Sequence, residues 1–166
     1  QVGTLAQELV RERPFQRLLS SPLLRARQSA EVISRALALP VQVIPAFRER
    51  HVGVFEGLTQ AEARIRYPEL WARNITRRWD EAPTDGESLD AVIARVSSGL
   101  ITLADEARGE RVLLVAHGVV AKVIRALTSS GFADFFEWQL HNGGRLVVNI
   151  PQAQSPIRFH RPAGQD

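Results

Sequence analysis

Three short polar stretches hold residue types that can handle an anion and move a proton. The first is Ser20, Ser21 and Arg25, the second Arg48, Glu49, Arg50 and His51, and the third His117 with Gly118. A guanidinium offers a planar fork of donors to phosphate or carboxylate oxygens. A carboxylate and an imidazole exchange protons near neutral pH once their surroundings tune them. Converging on one edge, these groups would suit an anionic substrate and proton transfer. Other chemistries lack their residues. There is no G-x-S-x-G elbow, P-loop, dinucleotide G-x-G-x-x-G or H-E-x-x-H. Without cysteine there are no thiol nucleophiles, disulfides or zinc-thiolate sites, and the four histidines are scattered.

Each polar stretch follows a segment that reads as a strand. Arg17 to Ser20 is a short strand, Val41 to Ile44 is β-branched and bounded by prolines, and Val112 to Ala116 is apolar on both faces. Helices alternate with them. Leu5, Leu9 and Val10 share one stripe of a helix over Thr4 to Arg13. Ser21 as N-cap and Pro22 as first helical residue open a second helix, whose face of Ala26, Ala30, Ile33 and Leu37 runs to a stop at Pro40. Leu89, Val92, Val96, Leu100, Leu103 and Ala107 mark a long amphipathic helix from Ser88 to near Gly109. Val119 to Leu127 reads as another, and Arg145 to Ile150 and Ile157 to His160 as two last strands. The expected class is therefore α/β, a three-layer, mostly parallel sheet flanked by helices. Ligands of such sheets bind beyond the carboxyl ends of the strands, where the three stretches lie. Residues 48–86, punctuated by Gly and Pro with short helices around Trp71 and Trp79, read as a small inserted helical lobe; 161–166 read as a tail.

Composition narrows the function classes. At 166 residues with 45% apolar content, the chain suits a single domain spanning 1–166 with a buried core. No apolar run approaches the ~18–20 residues of a membrane span. The net charge is only +3 although the sequence pI is about 10.4. Arginine supplies every cation but Lys122, so little titrates between histidine and arginine and the charge stays flat over many pH units. Acids and arginines alternate, as in Arg48-Glu49-Arg50, instead of forming the basic blocks of nucleic-acid arms. No nucleic-acid or membrane partner is expected. The chain contains no methionine and opens at Gln1, so the natural protein is expected to continue upstream.

Five motifs in order carry a resemblance. Ser20-Ser21-Pro22-Leu23-Leu24-Arg25-Ala26-Arg27-Gln28-Ser29-Ala30 resembles a signature of the histidine phosphatase superfamily, the phosphoglycerate-mutase-like fold. The segment from Arg48 through Glu49 to Gly57-Leu58-Thr59 is similar to its acid-bearing stretch. Gly86-Glu87-Ser88, Val115-Ala116-His117-Gly118 and His141-Asn142-Gly143 follow in the family's order. The family opens with a strand ending in Arg-His-Gly, whose histidine is the nucleophile; no such tripeptide occurs here, and that strand is expected upstream of Gln1.

The resemblance implies metal-independent hydrolysis of a phosphomonoester through a phosphohistidine, without a cofactor or metal. Arg25 would clamp the phosphoryl oxygens, His117 would donate to them, and Glu49 would protonate the leaving oxygen; these are the catalytic candidates. Ser21, Gly118, Asn142, Arg77 and Arg78 are the substrate-binding candidates, the arginine pair resembling one with which mutases hold a carboxylate. A phosphoglycerate-mutase-type transfer and a catalytically inactive anion-binding domain are the alternatives. The expected partner is a small phosphorylated metabolite, the expected location cytoplasmic, and a homodimer stays open. Plainer readings stand beside these roles: Arg25 on a helix surface, Glu49 paired with Arg48 or Arg50, His117 satisfied by backbone, Arg77 and Arg78 on a solvated face. His51 is divided evenly between structure and function, His160 reads as inert, and the sequon Asn74-Ile75-Thr76 as a chance match.

Overall fold

The computed structural model describes residues 2–12 and 14–150. Its chain divides into two compact units, one formed by Gln1–Glu49 and Val96–Asp166, the other by Arg50–Arg95.

The first unit is built on three parallel strands, β1 (Arg17–Ser20), β2 (Val41–Val43) and β3 (Val112–Val115), in the order β2-β1-β3. Ser20 is in register with both Val43 and Val115, so all three strands end along one edge. Side chains alternate across a strand, and β1 uses both faces. Leu18 packs with Ala6 and Leu9 of α1 (Val2–Val10) and Ile33 of α2 (Leu24–Leu37). Leu19 points the other way, into a hollow also lined by Phe47 and by Ser98, Gly99 and Leu103 of α5 (Leu89–Glu106). Helices on both faces of a parallel sheet make the expected three layers. Gly99 permits the close approach on the second face: a Cβ there would lie 2.8 Å from Ala46 Cβ and 3.2 Å from Phe47 Cζ.

The second unit holds α3 (Gln60–Arg66) and α4 (Pro68–Ala72), with the start of α5. Thr59 and Glu62 form a reciprocal capping box at the head of α3, and Pro68 occupies the first turn of α4, where its missing N–H is harmless. Ser88 caps α5 by accepting the Ala91 N–H at 3.2 Å. Phe55, Ala63 and Ile75 form a small core, with the Tyr67 ring edge-on to Phe55 at 5.7 Å. The unit covers 50–95, against an expected lobe of 48–86.

Five expectations need correction. The second helix begins at Leu24, with extended Leu23 at its cap, instead of at Ser21-Pro22. Ser21 remains part of the strand end because its N–H donates to Val115 O at 2.9 Å. Trp79 is buried in a bend after a 3₁₀ turn (Ile75–Arg77), not in a helix. The first helix stops at Val10, and α6 (Gly118–Arg125) runs on into a wider π turn over Ala126–Ser130. Arg145–Ile150 forms no strand: Leu146, Val148 and Ile150 alternate with exposed neighbours, yet no strand among the described residues pairs with them. Periodicity fixed which side chains turn inward, but a ladder needs a partner. The strand expected at Ile157–His160 and the tail lie outside the described residues.

Candidate active site

The first unit holds Ser21 just past β1, Glu49 after β2 and His117 just past β3. The residue after β1, Ser21, is wholly buried, and its hydroxyl lies 2.6 Å from Nε2 of His117, two residues beyond β3. The Ser21 hydroxyl also accepts the Leu23 N–H at 3.3 Å. Its backbone is held as well, since the Ser21 carbonyl accepts from Ser20 Oγ at 2.9 Å. Ser21, one of the substrate-binding candidates, directs its hydroxyl at the imidazole.

Glu49 approaches from the segment after β2. Its Oε2 accepts the N–H of Val119, in the first turn of α6, at 3.3 Å. A helix start favours a negative charge because its amides are unpaired and its dipole points that way. A Cβ at Gly118 would stand 3.9 Å from the same oxygen, an ordinary contact, so the approach does not depend on glycine there. Arg25 lies exposed in the first turn of α2, and among the described residues its guanidinium has no carboxylate partner. The strand ends thus carry a carboxylate held at a helix start and a hydrogen-bonded imidazole, and the helix after β1 carries the Arg25 guanidinium in its first turn.

The remaining candidates are placed less centrally. Asn142 is exposed in a turn closed by the Gly144 N–H donating to His141 O at 2.8 Å. Arg77 and Arg78 are exposed in the second unit, where Arg78 Nε donates to Arg73 O at 3.4 Å. His51 belongs to a tight loop in that unit. Its Nδ1 accepts the Gly53 N–H at 3.2 Å and lies 3.0 Å from Asp85 O.

Sequence reasoning missed how the second unit braces this loop. Arg50 is buried, and donates to the carbonyls of Glu87 at 3.0 Å and Thr76 at 2.6 Å. Glu87 makes a two-pronged pair with Arg95, at 2.9 and 3.0 Å, and also accepts the His51 N–H at 2.9 Å. Gly86-Glu87-Ser88 was visible as a motif, but nothing local marked Glu87 as a brace. Elsewhere in the first unit, Glu12 accepts from Arg111 and Arg145, both at 2.5 Å, which hold its carboxyl below the ordinary glutamate range. Asp134 is lowered by its pair with Arg125. Among the described residues, no three His, Cys, Asp or Glu side chains gather as a metal site, and no helix is long and apolar enough to cross a membrane.

Comparison with known sequences decides the family, because residues 1–160 match the family described as histidine phosphatase superfamily (branch 1). The chain belongs to that superfamily. Among its relatives, a bifunctional protein of Mycobacterium tuberculosis is 40% identical over 76% of this chain and 35% of its own length. A metal-independent phosphoserine phosphatase of Arabidopsis thaliana is 33% identical over 75% of this chain and 53% of its own. The chain thus spans about a third to a half of those relatives. A Bacillus subtilis protein named as an uncharacterized phosphatase is 29% identical, covering 92% of this chain and 72% of the relative. Among solved structures, a mycobacterial glucosyl-3-phosphoglycerate phosphatase superposes with a TM-score of 0.70 at 26% identity, covering 84% of this chain and 69% of that one. The histidine phosphatase fold therefore agrees with both sequence and architecture.

Proposed function

We propose that the protein is a metal-independent phosphomonoester phosphatase of the histidine phosphatase superfamily. The observation that carries this lies at the strand ends: His117, just past β3, is anchored on Ser21, just past β1, and Glu49, after β2, accepts from the start of α6, while Arg25 stands in the first turn of the helix that follows β1. Arg25 clamps the phosphoryl oxygens through paired N–H donors. His117 stabilises the charge that shifts onto those oxygens in the transition state. Glu49 protonates the leaving oxygen and then takes a proton from the attacking water. In the family's mechanism the phosphoryl acceptor is the histidine of an Arg-His-Gly strand, a tripeptide these 166 residues do not contain. The β3 edge supports such a strand. Val112, Leu113, Leu114 and Val115 are apolar yet only half-buried, and among the described residues β3 pairs on one side alone. A fourth strand there would cover apolar surface worth ~25 cal/mol per Å².

Hydrolysis is favoured over a mutase because the Arabidopsis phosphoserine phosphatase, the Bacillus phosphatase and the mycobacterial glucosyl-3-phosphoglycerate phosphatase are among its relatives and neighbours. A small phosphorylated metabolite is the substrate class. The test uses the full-length protein with nitrophenyl phosphate, phosphoserine and 3-phosphoglycerate, with and without EDTA. Phosphate release that EDTA leaves unchanged is expected. Release abolished by EDTA and restored by zinc or magnesium overturns the metal-independent reading, and isomerisation of 3-phosphoglycerate without phosphate release overturns hydrolysis.

A further inference from the structure

The pairing of Ser21 with His117 fixes more than a distance. A serine hydroxyl has one proton to give and two lone pairs to receive. The Leu23 N–H takes up one lone pair at 3.3 Å, and His117 Nε2 stands at 2.6 Å. Among the described residues, Ser21 Oγ has no other partner. Ser21 is 0% exposed, so water does not reach it as an alternative. If His117 donated from Nε2, the hydroxyl would accept twice and its own proton would stay buried and unpaired, an arrangement folded proteins avoid. The hydroxyl therefore donates to Nε2. The neutral imidazole must then carry its proton on Nδ1.

We propose that Ser21 is a positioning residue that fixes the tautomer and orientation of His117, a role resting on the phosphatase reading above. The hydrogen bonds run one way, from the Leu23 amide to the Ser21 hydroxyl to Nε2. Donation into Nε2 draws electron density from the ring and makes Nδ1–H a stronger donor, as expected of bonds that polarise one another. Any bond His117 gives a phosphoryl oxygen leaves from Nδ1. The serine is itself fixed from outside. Its N–H is tied to Val115 O and its carbonyl to Ser20 Oγ, so Oγ is aimed before substrate arrives.

The test is ¹⁵N NMR of the histidine-labelled full-length protein, with steady-state kinetics alongside. Wild type is expected to show His117 protonated on Nδ1 and not on Nε2. Ser21→Ala should move the proton to Nε2 and lower kcat with KM little changed. Removing the partner that orients a functional histidine costs about ten- to a hundredfold at metal sites, and a loss of that order is expected here. Ser21→Thr, which keeps the hydroxyl, should restore both tautomer and rate. Should alanine destabilise the strand end, Ser21→Cys, close in size with only a weak S–H donor, carries the same expectation. A wild-type proton on Nε2, an unchanged tautomer in folded Ser21→Ala, or a shifted tautomer with unchanged kcat each overturns the proposal. Absence of turnover in wild type would fail the phosphatase reading instead, while the NMR reading still decides the tautomer.

Discussion

Replacing Glu49 with Gln separates a proton donor from a structural carboxylate. In the structure, one carboxylate oxygen accepts the Val119 N–H at 3.3 Å at the start of α6. A glutamine oxygen can accept the same bond, so what disappears is the charge and the transferable proton. Loss of a negative charge at a helix start costs about 0.3–1 kcal/mol. For a chain of this size that lowers Tm by about 4 °C at most. Loss of a general acid costs about 10²–10⁴ in rate, or roughly 2.7–5.4 kcal/mol of barrier. The two magnitudes separate the roles. Alkyl phosphates expel a poor leaving group and need the proton, whereas nitrophenolate leaves without it. The assay is kcat/KM of full-length Glu49→Gln on glyceryl phosphate and on nitrophenyl phosphate. A loss of a hundredfold or more on the first and under tenfold on the second is expected. Equal losses on both would refute the acid role of Glu49.

Arg25→Ala should lower kcat/KM about a hundred- to a thousandfold on both substrates while Tm stays nearly constant, because the exposed side chain has no ion pair among the described residues to lose. Near-normal turnover would reduce Arg25 to a helix-surface residue. Glu12 gives a pH signature. Its folded carboxyl is held low by Arg111 and then Arg145, so its stabilisation is present above the unfolded value and lost as pH falls through the folded one. Urea midpoints should show Glu12→Gln less stable than wild type at pH 7, with the gap closing below about pH 4; a gap independent of pH would remove the linkage. Gly53→Ala should destabilise the second unit by more than the ~1–2 kcal/mol of left-handed strain alone. The backbone φ there is +58°, and the new Cβ would stand 1.9 Å from Thr84 O. An unchanged thermal melt would show that the 83–86 loop yields.

The strands around the site were readable because their signals are local. Val112–Val115 is an unbroken apolar run, and Val41–Val43 is bounded by Pro40 and Pro45. Polar residues just past such strands were the site candidates, and the structure places Glu49 at the start of α6 and His117 against Ser21. Misreadings arose where a distant partner decides. Ser21 has the chemistry of an N-cap, yet Val115 and His117, far along the chain, claim its amide and hydroxyl. Arg145–Ile150 has the alternation of a strand but no ladder among the described residues. Buried Arg50 looks like any arginine in an alternating charge run; its carbonyl acceptors, Thr76 and Glu87, are invisible without the fold.

The first unit is discontinuous in sequence: the chain leaves it after Glu49 and re-enters it at Val96, with the whole second unit strung between. Closing a flexible loop costs free energy only as the logarithm of its length, about 0.6 kcal/mol for each doubling. Halving or doubling the intervening segment therefore changes the assembly of the sheet by less than a single buried methylene does, ~0.8 kcal/mol. Lineages are free to lengthen, shorten or exchange that segment while β1, β2 and β3 keep their register. The leash is attached one residue after Glu49. New lobes can thus be tried between β2 and β3 in the sequence while the residues at the strand ends stay as they are.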